Sequence, residues 1–77
     1  MNVIENLMIQ IKKGSEDALR NLMVQTDHLI FQLAGQLTSD APIAREIVQD
    51  TFLKIWTNRQ QFDINKPAWP WISQITR

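Results

Sequence analysis

The sequence predicts an all-α fold, a small helical bundle of three main helices plus a short N-terminal helix. Two observations carry that prediction. Apolar residues recur at three- and four-residue spacing in four separate stretches, with helix-ending or helix-starting residues between them. The chain has 77 residues and no cysteine, so it has one small core held by packing alone, without disulfides or thiolate metal sites.

The first stretch, Val3, Ile4, Leu7, Met8 and Ile11, stops at Gly14, with Lys12 and Lys13 in the last turn where cations favour a helix C-terminus. Ser15 then serves as an N-cap, with Glu16 and Asp17 in the first turn that follows. The run it opens is the clearest helix in the chain: Ala18, Leu19, Leu22, Met23, Thr26, Leu29, Ile30, Leu33, Ala34 and Leu37. Gly35 lies inside it, marking either a close backbone approach or a tolerated weak point that costs about 1 kcal/mol relative to alanine.

In "TSDAPIA", Ser39 and Asp40 are candidate caps, and Pro42 falls in a first turn where its missing N–H removes no helical bond. The third helix then has a buried stripe of Ala44, Ile47, Val48, Thr51, Phe52 and Ile55, with Trp56 at its edge. Residues 58–67 form the longest non-helical connection and carry Phe62 and Ile64 among polar side chains, a position where function concentrates. In "PAWPWISQITR", Trp71, Ile72 and Ile75 have helical spacing, and a start near Pro67 leaves Pro70 at the third helical position, where no bond is lost.

Eight basic and eight acidic residues cancel. Their distribution is uneven: residues 1–40 hold three basic and five acidic side chains, and residues 41–77 hold five and three. Any contact with nucleic acid therefore falls to the C-terminal half. There is a single histidine, no cysteine, no tyrosine, no glycine-rich phosphate loop and no His or acidic cluster at metal spacing, so the sequence predicts no enzyme, no cofactor and no metal site. His28 reads as a surface or boundary residue. No apolar run reaches the roughly 18–20 residues needed to span a bilayer, and a cysteine-free chain fits a reducing cytoplasm.

Two places carry binding chemistry. On the third helix, Glu46, Gln49, Asp50, Leu53 and Thr57 share the face opposite the core. Periodicity leaves two readings of it open: a solvated face with one stray leucine, or a partner-binding strip in which Leu53 is the apolar anchor and its polar neighbours pair across an interface. The second place is the C-terminal region, where Arg59, Lys66 and Arg77 mix with Phe62, Trp69 and Trp71. Aromatic rings beside cations stack on and neutralise single-stranded nucleic acid, or else complete a small core. Trp71, in register with Ile75, belongs with the core; Trp69, on another face, fits either role.

"GSEDALRNLMVQ", "REIVQDTFLKIW", "QQFD" and "WPWISQITR" together resemble region 2 of the extracytoplasmic-function (ECF) sigma factors of bacterial RNA polymerase. The family pattern runs approximately G-D-x-x-A-F-x-x-L-Y, A-E-D-L-V-Q-E-T-F-L-x-V-W, F-D and W-L-x-x-I-A-x-N. The specific part is residues 44–56, where polar and apolar positions coincide without a gap. The resemblance implies a non-enzymatic helical domain, spanning residues 1–77, that docks on core polymerase and contacts the -10 promoter element during strand opening.

Carried over by position, the resemblance implies that Glu46, Gln49, Asp50 and Leu53, with Lys54 and Thr57 nearby, face the clamp helices of the polymerase β′ subunit. The family's following loop holds a base flipped out of the non-template strand, which places that role on residues 58–67. The expected DNA-contacting set is Arg59, Phe62, Asn65, Lys66, Trp69 and Arg77. An anti-sigma factor covering the same surfaces is a further partner that the resemblance admits.

The chain departs from the family pattern in three ways. It stops one residue before the expected Asn of the last motif, without the basic stretch that completes promoter recognition. It has no counterpart of the C-terminal helix-turn-helix domain. Trp69 and Pro70 stand where the family more often has Arg or Lys and a small residue. The rival reading is a helical protein-interaction module that binds polymerase or an anti-sigma factor without promoter function. A stand-alone single-strand-binding domain is a third.

Overall fold

The computed structural model of the protein describes residues 2–77, which form four α-helices: α1 (Val3–Lys12), α2 (Glu16–Gly35), α3 (Ala41–Thr57) and α4 (Ala68–Thr76), with a single 3₁₀ turn at Arg59–Gln61 between the last two. All-helical architecture is what the spacing predicts. The connection 58–67 is shorter in open backbone than expected, because the 3₁₀ turn takes up its first part.

Capping chemistry sets the boundaries. Asn2 accepts the Ile4 and Glu5 amides at the start of α1, Ser15 accepts Ala18 N–H at the start of α2, and Asp40, not Ser39, accepts Ile43 N–H at the start of α3. The corner between α1 and α2 is a Schellman motif. Gly14 adopts φ +99°, Ser15 N–H reaches Gln10 C=O at 3.1 Å, and Gly14 N–H reaches Ile11 C=O at 2.8 Å. Ser15 thus closes one helix and caps the next. Gly35 is the last residue of α2, and a Cβ built on it meets nothing within 4 Å, so the tolerated reading holds there.

The four helices meet around one core of Leu7, Met8 and Ile11 from α1, Ala18, Leu22, Ile30 and Ala34 from α2, Ala44, Val48, Phe52 and Ile55 from α3, and Ala68 and Ile72 from α4, with Phe62 inserted from the connection. Ile47 and Trp56 are half-buried at its margin. Three buried threonines spend their hydroxyls internally. Thr26 donates to Leu22 C=O, Thr51 to Ile47 C=O and Thr76 to Ile72 C=O, while the Thr51 and Thr76 oxygens lie 3.2 Å apart, joining α3 to α4.

Four residues assigned to apolar stripes by spacing are exposed: Val3, Met23, Leu29 and Leu37. Helical spacing marks a stripe wider than the neighbouring helices cover, and Leu37 lies beyond the end of α2. His28 is exposed beside Gln32, as a surface histidine should be.

Candidate functional site

α3 presents two faces of different chemistry. Val48, Thr51, Phe52 and Ile55 are buried, whereas Glu46, Gln49, Asp50, Leu53, Lys54 and Thr57 are all exposed. Leu53 keeps 63% of its surface in solvent. The two ion pairs among the described residues join Arg20 to Asp17 and Arg45 to Asp27, leaving the Glu46 and Asp50 carboxylates outside any pair. Arg45 also lies over the Phe31 ring at 4.3 Å, so this cation is spent on fastening α3 to α2. Ile43, 45% exposed and one turn before Glu46 and Ile47, adds an apolar residue beside the strip. Sequence reading passed over it, because an apolar residue in the first turn of a helix looks like part of the buried stripe.

The second candidate region is built on the connection and the start of α4. Asp63 organises it as a turn: its carboxylate accepts Asn65 N–H at 2.9 Å and its carbonyl accepts Lys66 N–H at 3.0 Å. Beside this turn lies a recess of about 300 Å³, walled by Gln61, Asp63, Lys66, Pro67, Trp71 and Gln74 among others. A broader, shallower depression on the other side of Lys66 and Pro67 is bordered by Asn2, Glu5, Ile64 and Asn65. Lys66 and Asn65, both expected in the site, are thus brought together at recesses.

Phe62 requires correction as an exposed stacking ring. It is 1% exposed and packs against Trp71 with ring centroids 5.4 Å apart, so only an edge of the residue borders the recess. The reason is that the connection has to close over the gap between α1 and α4, and Phe62 is the side chain large enough to fill it. Arg59 is also turned inward. Its guanidinium lies over the Trp56 ring at 4.2 Å and donates to Trp56 C=O at 2.9 Å near the end of α3. The Arg59 Nε is buried without a partner.

Trp69 is exposed at the first turn of α4 but borders neither recess, and Arg77 is exposed at the far end of that helix. Neither Trp69 nor Arg77 thus shares a recess with Asn65 or Lys66. Of the other residues that wall the recess, Gln61, Asp63 and Pro67 fall within the 58–67 connection that the sequence singles out, and Gln74 falls outside it. Gln74 could have been found from its position three residues after Trp71 on the same helical face.

Three hydrogen bonds join α1 to this region. Lys12 Nζ donates to Phe62 C=O at 2.6 Å, Gln60 Nε2 donates to Lys12 C=O at 2.9 Å, and Glu5 Oε2 accepts Ala68 N–H at 2.7 Å. Among the described residues no group of three His, Cys, Asp or Glu side chains could hold a metal ion.

Residues 22–77 match the family described as Sigma-70 region 2. The chain is 29% identical over 73 residues to the ECF RNA polymerase sigma factor SigW of Bacillus subtilis (strain 168), an alignment that covers 95% of this chain and 39% of SigW. The chain therefore spans about two fifths of that relative's length. Its fold superposes on an engineered region 2 of sigmaE, solved by NMR as a complex with GTAAAA, with a TM-score of 0.86 and 25% sequence identity, over 95% of this chain and 76% of the other.

Proposed function

Because this chain belongs to the Sigma-70 region 2 family, whose members are non-enzymatic transcription initiation factors, we propose that it docks on the β′ clamp helices of core RNA polymerase and contacts the -10 element. Docking uses the outward face of α3, with Leu53 as the apolar anchor and Glu46, Gln49 and Asp50 as polar partners, flanked by Lys54 and Thr57. The carrying observation is the 63% exposure of Leu53, bracketed by polar side chains on a helix whose opposite face is core. An exposed apolar residue with a polar rim around it is an arrangement that interfaces use.

The DNA contact falls on the recess beside Asp63 and Lys66, which at about 300 Å³ has room for a base, with Lys66 at its rim and Asn65 at the neighbouring depression toward the non-template strand. Support comes from the solved relative that carries GTAAAA. Polymerase binding outweighs DNA binding in this reading, since a domain with no net charge gains little from counterion release. An anti-sigma factor would act by covering the strip on α3. The setting is the bacterial cytoplasm, where polymerase works; none of the described helices is long and apolar enough to cross a membrane.

The test is a pull-down of β′ clamp helices with the wild-type chain and with Gln49→Ala, Asp50→Arg and Leu53→Asp, with helicity followed in parallel. Retention by the wild type and loss in Leu53→Asp is expected. Failure of the wild type to bind, or equal binding by all three folded variants, would overturn the docking assignment.

A further inference from the structure

α4 begins in an unusual way. The other three helices are capped by the side chain of the residue that precedes them, Asn2, Ser15 or Asp40, but Pro67 offers no such side chain. Of the four amide positions that a helix start leaves unbonded, two here are prolines, Pro67 and Pro70, and have no N–H at all. Only Ala68 and Trp69 remain. Trp69 is exposed, whereas Ala68 is fully buried, and its N–H is accepted by Glu5 Oε2 from α1, 63 positions away in sequence. A carboxylate at this end also complements the helix dipole.

Glu5 and Lys12 are seven residues apart, so both point from one face of α1 at stations two turns apart. Glu5 holds the end of the 58–67 connection and Lys12 holds its middle through Phe62 C=O. Gln60 answers by donating to Lys12 C=O at the C-terminus of α1. The connection is thereby tied to α1 at Gln60, at Phe62 and just past its end at Ala68, and Gln61, Asp63, Lys66 and Pro67, which wall the recess of about 300 Å³, lie between those positions along the chain. Residues 1–21 lie outside the segment that matches the family model, but the alignments with SigW and with the sigmaE region 2 structure each cover 95% of the chain and so take in most of α1.

We propose that α1 is a clasp that sets the shape of the 58–67 connection before nucleic acid arrives, with Glu5 and Lys12 as positioning residues for the DNA contact; this rests on the DNA-binding reading above. The clasp makes an unusual demand on sign. A carboxylate that merely stood near DNA would repel phosphate, and its removal would tighten binding. A carboxylate that positions the connection does the opposite.

The experiment uses the full 77-residue chain, a labelled single-stranded oligonucleotide containing GTAAAA, and amide exchange of the free protein by NMR. Glu5→Ala should weaken oligonucleotide binding by about tenfold despite losing a negative charge, and should speed Ala68 exchange by a similar factor. Glu5→Gln keeps an acceptor oxygen and loses the charge, so it should protect Ala68 and bind at least as tightly as the wild type. Lys12→Met should weaken binding without changing the salt dependence, whereas loss of a phosphate contact would lower the slope by about 0.7.

Binding by Glu5→Ala equal to or tighter than wild type, or a lowered salt slope in Lys12→Met, would overturn the proposal. If the wild type ignores the oligonucleotide, the DNA reading falls, and the clasp is then decided by exchange alone: unchanged Ala68 protection in Glu5→Ala overturns it. If Glu5→Ala loses the whole fold, the paired results for Glu5→Gln and Lys12→Met decide in the same way.

Discussion

The Phe62 and Trp71 rings stand 5.4 Å apart and tilted by 57°, which joins the connection after α3 to the middle of α4. Phe62 is fully buried, so its ring acts on the neighbouring recess through the shape it imposes. Removing it in Phe62→Ala should cost about 3–5 kcal/mol, a large share of the roughly 4–12 kcal/mol available to a domain this size. Urea denaturation measures this. Phe62→Leu, which refills most of the volume, should stay folded and bind a GTAAAA oligonucleotide within about twofold of wild type. Loss of binding in folded Phe62→Leu would show that the aromatic ring itself contacts the base.

Lys66 and Arg59 should part company under salt titration. Lys66 is exposed at the rim of both recesses, and Lys66→Ala should weaken single-strand binding and lower the salt slope by about 0.7. Arg59 is folded over Trp56 and bonded to its carbonyl. Arg59→Ala should lower stability by about 1 kcal/mol, through the lost ring contact and hydrogen bond, and leave the slope unchanged. Equal slopes for both variants would remove Lys66 from the phosphate contacts.

Neighbouring positions on α3 should give opposite phenotypes. Leu53→Asp replaces a solvent-facing residue and should shift stability by no more than about 0.5 kcal/mol while abolishing capture of the β′ clamp helices. Phe52→Ala empties a buried site and should cost about 3–5 kcal/mol. Thermal melts run beside the pull-down separate the two effects. A large loss of stability in Leu53→Asp would mean that the leucine belongs to the fold.

The two glycines make a complementary pair. Gly14 sits at φ +99°, so Gly14→Ala should destabilise by about 1–2 kcal/mol and unsettle the α1–α2 corner. Gly35 is helical with open space around it, so Gly35→Ala should stabilise by about 0.5–1 kcal/mol. Chemical denaturation of both variants checks the signs. The opposite order would show that neither conformation is as described.

Much of the fold is legible in the sequence because it is written locally. Gly14, Ser15 and Asp40 act on backbone groups within a few residues, and the Ala44-to-Ile55 stripe repeats within one helix. The outward set from Glu46 to Thr57 follows from the same periodicity, with the family resemblance supplying the docking role proposed for it. The sequence leaves Phe62 open between a stacking ring and a core ring, and nothing in it marks the inward turn of Arg59. Each depends on what lies opposite in three dimensions, Trp71 in one case and the ring of Trp56 in the other. The reach of Glu5 to Ala68 is less visible still, since no local pattern pairs a carboxylate with an amide so far along the chain. Met23 and Leu29 erred in the other direction, because periodicity counts apolar residues without knowing how much surface the neighbouring helices have to offer.

The division of α3 into a buried row and an exposed row has a consequence for how such a domain diverges. Val48, Phe52 and Ile55 answer to the interior, while Gln49, Asp50 and Leu53 answer to whatever lies outside, and the two sets share no position. Substitutions in one set leave the constraints on the other intact. A lineage can therefore rewrite its outer alphabet to follow a changing partner while the helix, and the bundle it anchors, stays the same.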